Sequence, residues 1–161
     1  KMRIERVLNE SDFELNMGPD GALLMGGRLD SENGRGMGVG DWTCAIPDHW
    51  LFAGTGMKKG DSIKNLLGWE WHGAPAMSLP GMQVVAEGDA TINRKKVGHY
   101  TATVYDGPRG NVVFNAATIW WANGLSSPPG HKNPSRHGVA QQGPDERVQQ
   151  ITHNLFQRMI S

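Results

Sequence analysis

The sequence has one cysteine, no excess charge of either sign and no long apolar run, and each absence excludes a class of protein. Cys44 cannot form a disulfide within the chain and has no cysteine partner for a zinc site. Sixteen basic residues balance sixteen acidic ones, so the chain has no overall field that would concentrate nucleic acid or an anionic membrane. We therefore expect neither nucleic acid nor membrane as a partner. Because nothing resembles a secretory signal, we expect a cytoplasmic protein.

Signatures of a metal site and of a nucleophilic cysteine are also missing. The six histidines form no HExxH or other compact ligand motif, so the residues predict no metal ligands. Cys44 lacks the flanking glycines of a nucleophile elbow, and Pro47 opposes a helix after it. We expect Cys44 to be a buried, inert thiol.

Glycine and tryptophan, in contrast, are abundant. The 161 residues include 22 glycines, concentrated over residues 18–60, and 6 tryptophans. Such glycine content predicts many tight turns in the first half. The length suits one domain, and we expect residues 1–161 to be a single domain or the C-terminal fragment of a larger protein, since the chain begins at Lys1 in what reads as mid-domain sequence.

Periodicity predicts a β-hairpin and a final helix. Apolar residues at three-and-four spacing predict an amphipathic helix over residues 144–160, with Pro144 in its first turn. Residues 100–106 and 111–120 read as the two strands of the hairpin, the second buried on both faces inside a covered sheet. Short strands are predicted over residues 66–71 and 82–86, although residues 61–67 could also begin as a helical turn. Residues 124–143 form a long polar loop, a candidate lid or interface.

The strongest candidate for chemistry is the segment of residues 68–73. In an extended conformation, Glu70 and His72 lie on one face, and Trp69 and Trp71 on the other. A carboxylate beside an imidazole can act in general acid and base catalysis, so Glu70 and His72 are the catalytic candidates. The alternative interpretation is a strand end, with Glu70 bonded to backbone and the tryptophans in the core.

Four residues are candidates for substrate binding. His49 precedes a glycine-containing loop that allows close backbone approach to a ligand, although a structural loop is the alternative interpretation. The other three are the two tryptophans of the 68–73 segment and a polar residue of the second hairpin strand: Trp69, Trp71 and Asn115.

Several of these segments resemble a known family. Residues 41–44 and 49–73, and again residues 112–125 and 143–160, resemble the C-terminal domain of the N,N-dimethylformamidase large (beta) subunit. The motif Gly68-Trp69-Glu70 carries the resemblance in the first region, and residues 147–154 with Thr152 carry it in the last. The resemblance implies an α/β domain of the class I glutamine amidotransferase-like or trehalose-utilisation-protein-like fold, of which this chain would be the C-terminal part.

The resemblance also implies a chemistry. Family members hydrolyse small amides at an iron ion held by two tyrosines and a glutamate, which predicts iron as cofactor in the full-length enzyme. The tyrosines of this chain, Tyr100 and Tyr105, both fall in the predicted hairpin, so the iron ligands are expected in upstream sequence. Glu70 is the residue carried over, as a carboxylate near the reacting amide.

The implied partners are a small amide substrate, upstream domains of the same protein and further copies in an oligomer. Two other functions stay open. One is a non-catalytic amidotransferase-like domain used for assembly, and the other is a sugar-binding or sugar-processing module whose tryptophans stack on sugar rings.

Overall fold

The computed structural model describes residues 37–68, 70–75, 79–107 and 109–161. Short 3-10 helices lie at Trp50–Phe52 and Trp121–Gly124, and within these ranges no helix has the length and apolar character needed to cross a membrane. The strands and the one α-helix of the described ranges are β1 Gly40–Thr43, β2 Ser62–Leu67, β3 Gln83–Ile92, β4 Lys95–Asp106, β5 Val112–Asn115, β6 Ser135–Arg136, β7 Val139–Ala140 and α1 Glu146–Ile160.

The strands form antiparallel sheets. β3, β4 and β5 make a three-stranded meander, and β1 pairs with β2. Single bridges from Val39 to Thr91 and from Cys44 to Ala86 join the two sheets edge to edge. All named strands of the described ranges pair antiparallel, whereas the resemblance implied a mostly parallel sheet. The mixed α/β class holds, and the amidotransferase-like fold is not confirmed.

The connection between β3 and β4 is a two-residue hairpin loop. Asn93 and Arg94 both have positive φ, 50° and 66°, which is the conformation that matches the twist of two antiparallel strands. The strand predicted over residues 82–86 is confirmed as part of β3, which is longer than predicted and continues to Ile92 at the turn. The predicted strand over residues 66–71 is corrected: β2 is Ser62–Leu67, which also removes the helical alternative there.

The predicted hairpin over residues 100–120 is confirmed as β4 and β5, with corrections to both strands: β4 begins earlier than predicted, at Lys95. Gly107 N–H donates to Asn111 O at 2.6 Å and closes the turn. β5 ends at Asn115, and the chain turns away from the sheet at Ala117, which has a left-handed φ of 59°. In the described part of the chain β5 pairs with β4 alone, so it lies at an edge and not inside a covered sheet.

Aromatic side chains fill the core between the sheets and α1. Trp42 is fully buried and donates from Nε1 to Ala116 O at 3.0 Å. Its ring contacts Trp121 with centroids 5.3 Å apart, and Trp121 in turn contacts Phe114 at 5.4 Å. Because the Trp42 N–H is satisfied at Ala116, this core holds the backbone just after β5 in place.

The predicted final helix is confirmed as α1, with a later start. Asp145, and not Pro144, precedes the first helical residue as the N-cap, and its Oδ1 accepts from Arg147 N at 2.9 Å. The Arg147 guanidinium binds both oxygens of Asp145 at 2.9 and 2.7 Å and also reaches Ser62 O at 3.2 Å. These contacts attach the start of α1 to β2, with Val148 buried beneath them.

We expect the stability of the fold to depend on pH through Asp145. The hydrogen bond from Arg147 lowers the pKa of this carboxyl, so its contribution is complete above the unfolded pKa of about 3.9 and is lost as pH falls through the lower folded pKa. Asp145→Asn keeps an N-cap acceptor but loses the ion pair. Urea unfolding at pH 7 should show the variant about 1 kcal/mol less stable, and the difference should shrink towards pH 2. A constant difference over that range would contradict this role.

The polar loop of residues 124–143 contains a small hairpin, β6–β7. Asn65 Nδ2 of β2 donates to Ala140 O at 3.0 Å, so the hairpin is held against the β1–β2 sheet. Its use as a lid or interface remains a prediction.

Candidate functional site

A small cavity lies beside the end of β5. Its volume is about 270 Å³, just below the roughly 300 to 1,000 Å³ typical of sites for drug-sized ligands. The cavity brings together three residues that the sequence singled out, Glu70, His72 and Asn115. Its remaining lining comes from Val113, Phe114, Ala116, Ala117, Thr118 and Ile119.

The hydroxyl of Thr118 explains why residues 68–72 and the chain after β5 meet. It accepts from Gly68 N at 3.0 Å and donates to Leu66 O at 2.9 Å, so it binds the end of β2 on both sides of Leu67. It also accepts from Trp120 N at 3.1 Å. One side chain therefore fixes both walls of the cavity.

The predicted alternation of the 68–73 segment is visible at its described positions. Glu70 and His72 line the cavity, while Trp71 between them is fully buried and donates from Nε1 to Met37 O at 2.9 Å. Trp71 thus lies in the core and not in the cavity. Trp69 lies outside the described residues.

The backbone of His72 is bound to β4. Thr101 N donates to His72 O at 3.0 Å, and Thr101 Oγ1 donates to Gly73 O at 2.7 Å. Thr101 is buried, so these bonds are shielded from water. The backbone of His72 and Gly73 is consequently held against β4.

Asn115 links His72 to the bend after β5. Its side-chain atoms Oδ1 and Nδ2 lie 3.0 and 2.7 Å from His72 Nδ1, and Oδ1 also accepts from Ala117 N at 2.9 Å. His72 N lies 3.4 Å from Ala117 O and closes the same network. The imidazole ring is therefore fixed through Nδ1 by a side chain that is itself fixed.

Two residues of the cavity wall have strained backbones. Glu70 has φ 55° and Ala117 has φ 59°, the left-handed region that costs a residue with a Cβ roughly 1–2 kcal/mol. Strain of this kind persists where the surroundings enforce it and concentrates at functional sites. Asn65, Asn93, Arg94 and His137 also have positive φ and lie outside the cavity, so the strain alone does not single it out.

His49 lies in a different cavity. This open space of about 760 Å³ shares no lining residue with the cavity at β5. His49 Nδ1 accepts from Leu51 N at 3.2 Å, and burial lowers the pKa of the imidazole. The structure therefore does not bring His49 together with Glu70 and His72.

The described residues do not fit the iron site that the resemblance implies. The Tyr100 hydroxyl is buried, donates to Asp41 O at 2.9 Å and accepts from Thr43 N at 2.7 Å. Burial raises the pKa of this phenol well above its usual range, so it is a poor source of a phenolate ligand. Among the described residues, no three His, Cys, Asp or Glu side chains form a group suited to a metal ion.

Cys44 is buried, as the sequence predicted, and burial raises the pKa of its thiol to about 11. The thiolate that a nucleophilic cysteine requires is therefore scarce at neutral pH.

Sequence reasoning missed Thr118 and Ala117. Both residues fall inside the run of residues 111–120 that reads as strand, and Thr118 makes its bonds to residues about fifty positions earlier. Asn115 two residues before Ala117 was the available signal, since asparagine side chains bond to backbone two residues on.

A comparison with protein families gives one finding. The family model described as "N,N-dimethylformamidase beta subunit-like, C-terminal" matches residues 20–136, which is most of the chain and includes the whole cavity at β5. Neither the curated proteins nor the solved structures give a match.

Proposed function

The chain belongs to the N,N-dimethylformamidase beta subunit-like C-terminal family, and we propose on that premise that it supplies a binding pocket for small amides to an amide hydrolase. The observation that carries the proposal is the meeting of Glu70, His72 and Asn115 in one small cavity. A carboxylate and an imidazole in a confined space are the groups that acid and base catalysis of hydrolysis requires.

Within the pocket, each residue has a chemical role. His72 binds the amide through a hydrogen bond to its carbonyl oxygen, where negative charge develops when water attacks. Glu70 takes a proton from the attacking water as the C–O bond forms and gives it to the nitrogen as the C–N bond breaks, so the amine leaves neutral. Asn115 contacts the imidazole at Nδ1 and sets its orientation.

The iron and the amidotransferase-like fold of the resemblance belong, in our proposal, to sequence outside the described residues. Iron, when bound, would polarise the amide carbonyl and activate water. The engaged hydroxyl of Tyr100 and the antiparallel pairing of every described strand support this placement. Upstream domains of the same protein are thus the partners that the proposal requires.

The proposal is tested by amine release. The protein that carries this chain is supplied with iron and incubated with formamides and acetamides, and ammonia or alkylamine is measured. We expect release that depends on protein concentration. No release at any iron concentration would contradict the proposal.

A second candidate function is assembly, and α1 favours it. Its first two turns bury Val148 and Ile151, but Phe156, Met159 and Ile160 near its end are exposed by 59%, 47% and 77%. An apolar patch at a helix end is typical of a contact between proteins. Light scattering should then show an oligomer that Phe156→Ser together with Ile160→Ser dissociates; a wild-type monomer would remove this candidate.

The sugar-binding alternative gains no support from the described tryptophans. Trp42, Trp71 and Trp120 are buried, and Trp50 and Trp121 are half-buried against the core. Stacking on a sugar ring requires an exposed aromatic face.

A further inference from the structure

Ile119 lines two cavities at once. On one side it belongs to the cavity at β5, and on the other to a second cavity of about 260 Å³. Trp120, Pro134, Ser135 and Arg136 complete the lining of the second cavity. Among the described residues Ile119 alone lines both, so the two cavities adjoin at this one side chain.

The position of Ile119 between the cavities is held from both sides. The Thr118 hydroxyl before it bonds to Gly68 N and Leu66 O, and Trp120 N after it donates to the same hydroxyl. The β-branched side chain also has little freedom at χ1. Ile119 is nonetheless 48% exposed, so the core does not depend on its full size. The residue is therefore a partition that can be shortened without loss of the fold.

The far wall of the second cavity is also held by hydrogen bonds. It comes from residues 134–136, at the start of the β6–β7 hairpin, and Pro134 O accepts from Gln141 N at 3.0 Å. Gln141 is buried, and its side-chain amide bonds to Gly143 N and Gly143 O at 2.7 and 2.9 Å. The second cavity thus has hydrogen-bonded backbone on both of its sides.

Joined, the two cavities have the size and lining of a site for a longer ligand. Each alone lies below the roughly 300 to 1,000 Å³ typical of sites for drug-sized molecules, whereas the two together lie within that range. The second cavity is mainly apolar, since three of its five lining residues are Ile119, Trp120 and Pro134. A hydrocarbon chain suits this space, because it leaves water without losing hydrogen bonds.

We propose that Ile119 is the specificity-determining residue that limits the acyl chain of the amide, and that the second cavity is the space from which it excludes that chain. With isoleucine at this position, the cavity at β5 takes formyl and acetyl amides. A smaller side chain opens the way to the second cavity, where a longer acyl chain is buried. The inference rests on the proposed amide-binding function and concerns only the carbon side of the amide.

Chemical-shift titrations of the wild-type chain and of Ile119→Ala test the inference. The ligands are N,N-dimethylacetamide and N,N-dimethylbutanamide, which share the dimethylamine side and differ by two methylenes in the acyl chain. In the wild type we expect the butanamide to bind at least about tenfold more weakly. In Ile119→Ala it should bind at least as tightly as the acetamide and should also shift the backbone amide signals of Ser135 and Arg136, which line the second cavity.

Three further variants make the test specific. Ile92→Ala is the matched control, because it shortens a half-buried isoleucine at the end of β3 that lines neither cavity, and it should keep the wild-type ratio of affinities. Ile119→Val removes one methyl group and should change the ratio in the same direction by a smaller factor. Ser135→Trp added to Ile119→Ala fills the second cavity and should restore the preference for the acetamide. Thermal unfolding establishes that each variant is folded.

The outcomes separate the two proposals. An unchanged ratio of affinities in Ile119→Ala overturns the role of Ile119 and leaves the amide-binding function standing. Signals of Ser135 and Arg136 that the butanamide shifts already in the wild type have the same meaning. Binding of neither amide, in the wild type or in Ile119→Ala, contradicts the amide-binding function and the inference with it.

Discussion

Replacing Gly68 by alanine is expected to destabilise the fold by about 3 kcal/mol. An added Cβ would lie 2.3 Å from the ring of Trp120, closer than any real Cβ contact, so the buried indole would have to move. Movement of Trp120 also disturbs the hydrogen bond from its backbone N–H to the Thr118 hydroxyl. That hydroxyl holds together the two walls of the proposed amide pocket. Thermal unfolding should show a melting temperature roughly 10 °C below that of the wild type.

Gly56→Ala is the matched control. Gly56 has φ 68° and nothing within 4 Å of an added Cβ, so this variant carries only the backbone strain of a left-handed alanine, about 1 kcal/mol. Similar losses for the two variants would mean that Trp120 moves aside freely. The close packing that we assign to Gly68 and Trp120 would then be wrong.

Replacing Glu70 by glutamine is expected to lower amide turnover about 100-fold while the fold is retained. Glutamine has almost the same shape as glutamate but cannot transfer a proton, and the loss of one general acid or base typically costs this factor. Amine release by the protein that carries this chain, with iron supplied, is the measurement. Because Glu70 is exposed, we expect the unfolding temperature to stay within about 2 °C of the wild type.

Glu146→Gln is the matched control, because it makes the same change from glutamate to glutamine outside the pocket. Glu146 is an exposed residue in the first turn of α1, away from the pocket lining, and its replacement should change turnover by less than about twofold. Near-normal turnover in Glu70→Gln would remove Glu70 from the mechanism. An equal loss in both variants would point to a general effect of negative charge.

Local patterns in the sequence predicted the parts of the fold that local patterns determine. The alternation of an extended backbone placed Glu70 and His72 on one face, and both do line one cavity, although Glu70 has a left-handed φ of 55° and the segment is not extended there. The three-and-four spacing predicted α1, and the turn at residues 107–110 predicted the β4–β5 hairpin. The start of α1 was missed by two residues, because Pro144 suits the first helical position, whereas the Asp145 side chain caps the helix by accepting from Arg147 N and the first helical residue is Glu146.

Long-range contacts determine the rest. The sequence does not reveal that Thr118 bonds to the end of β2, that Asn115 bonds to His72, or that β5 lies at an edge. The two side-chain bonds join residues more than forty positions apart, and the edge position of β5 depends on which other strands reach it. The same limit explains why His49 was predicted to bind substrate together with Glu70 and His72. Its loop has suitable residues, but the fold places it at another cavity.

Chemical-shift mapping tests the amide-binding pocket most directly. Backbone and side-chain amide signals of the chain are followed while acetamide is added. We predict saturable shifts confined to Glu70, His72 and residues 113–119, which line the cavity at β5. Shifts concentrated around His49, or no saturable shift anywhere in the chain, would contradict the assignment of this pocket to small amides.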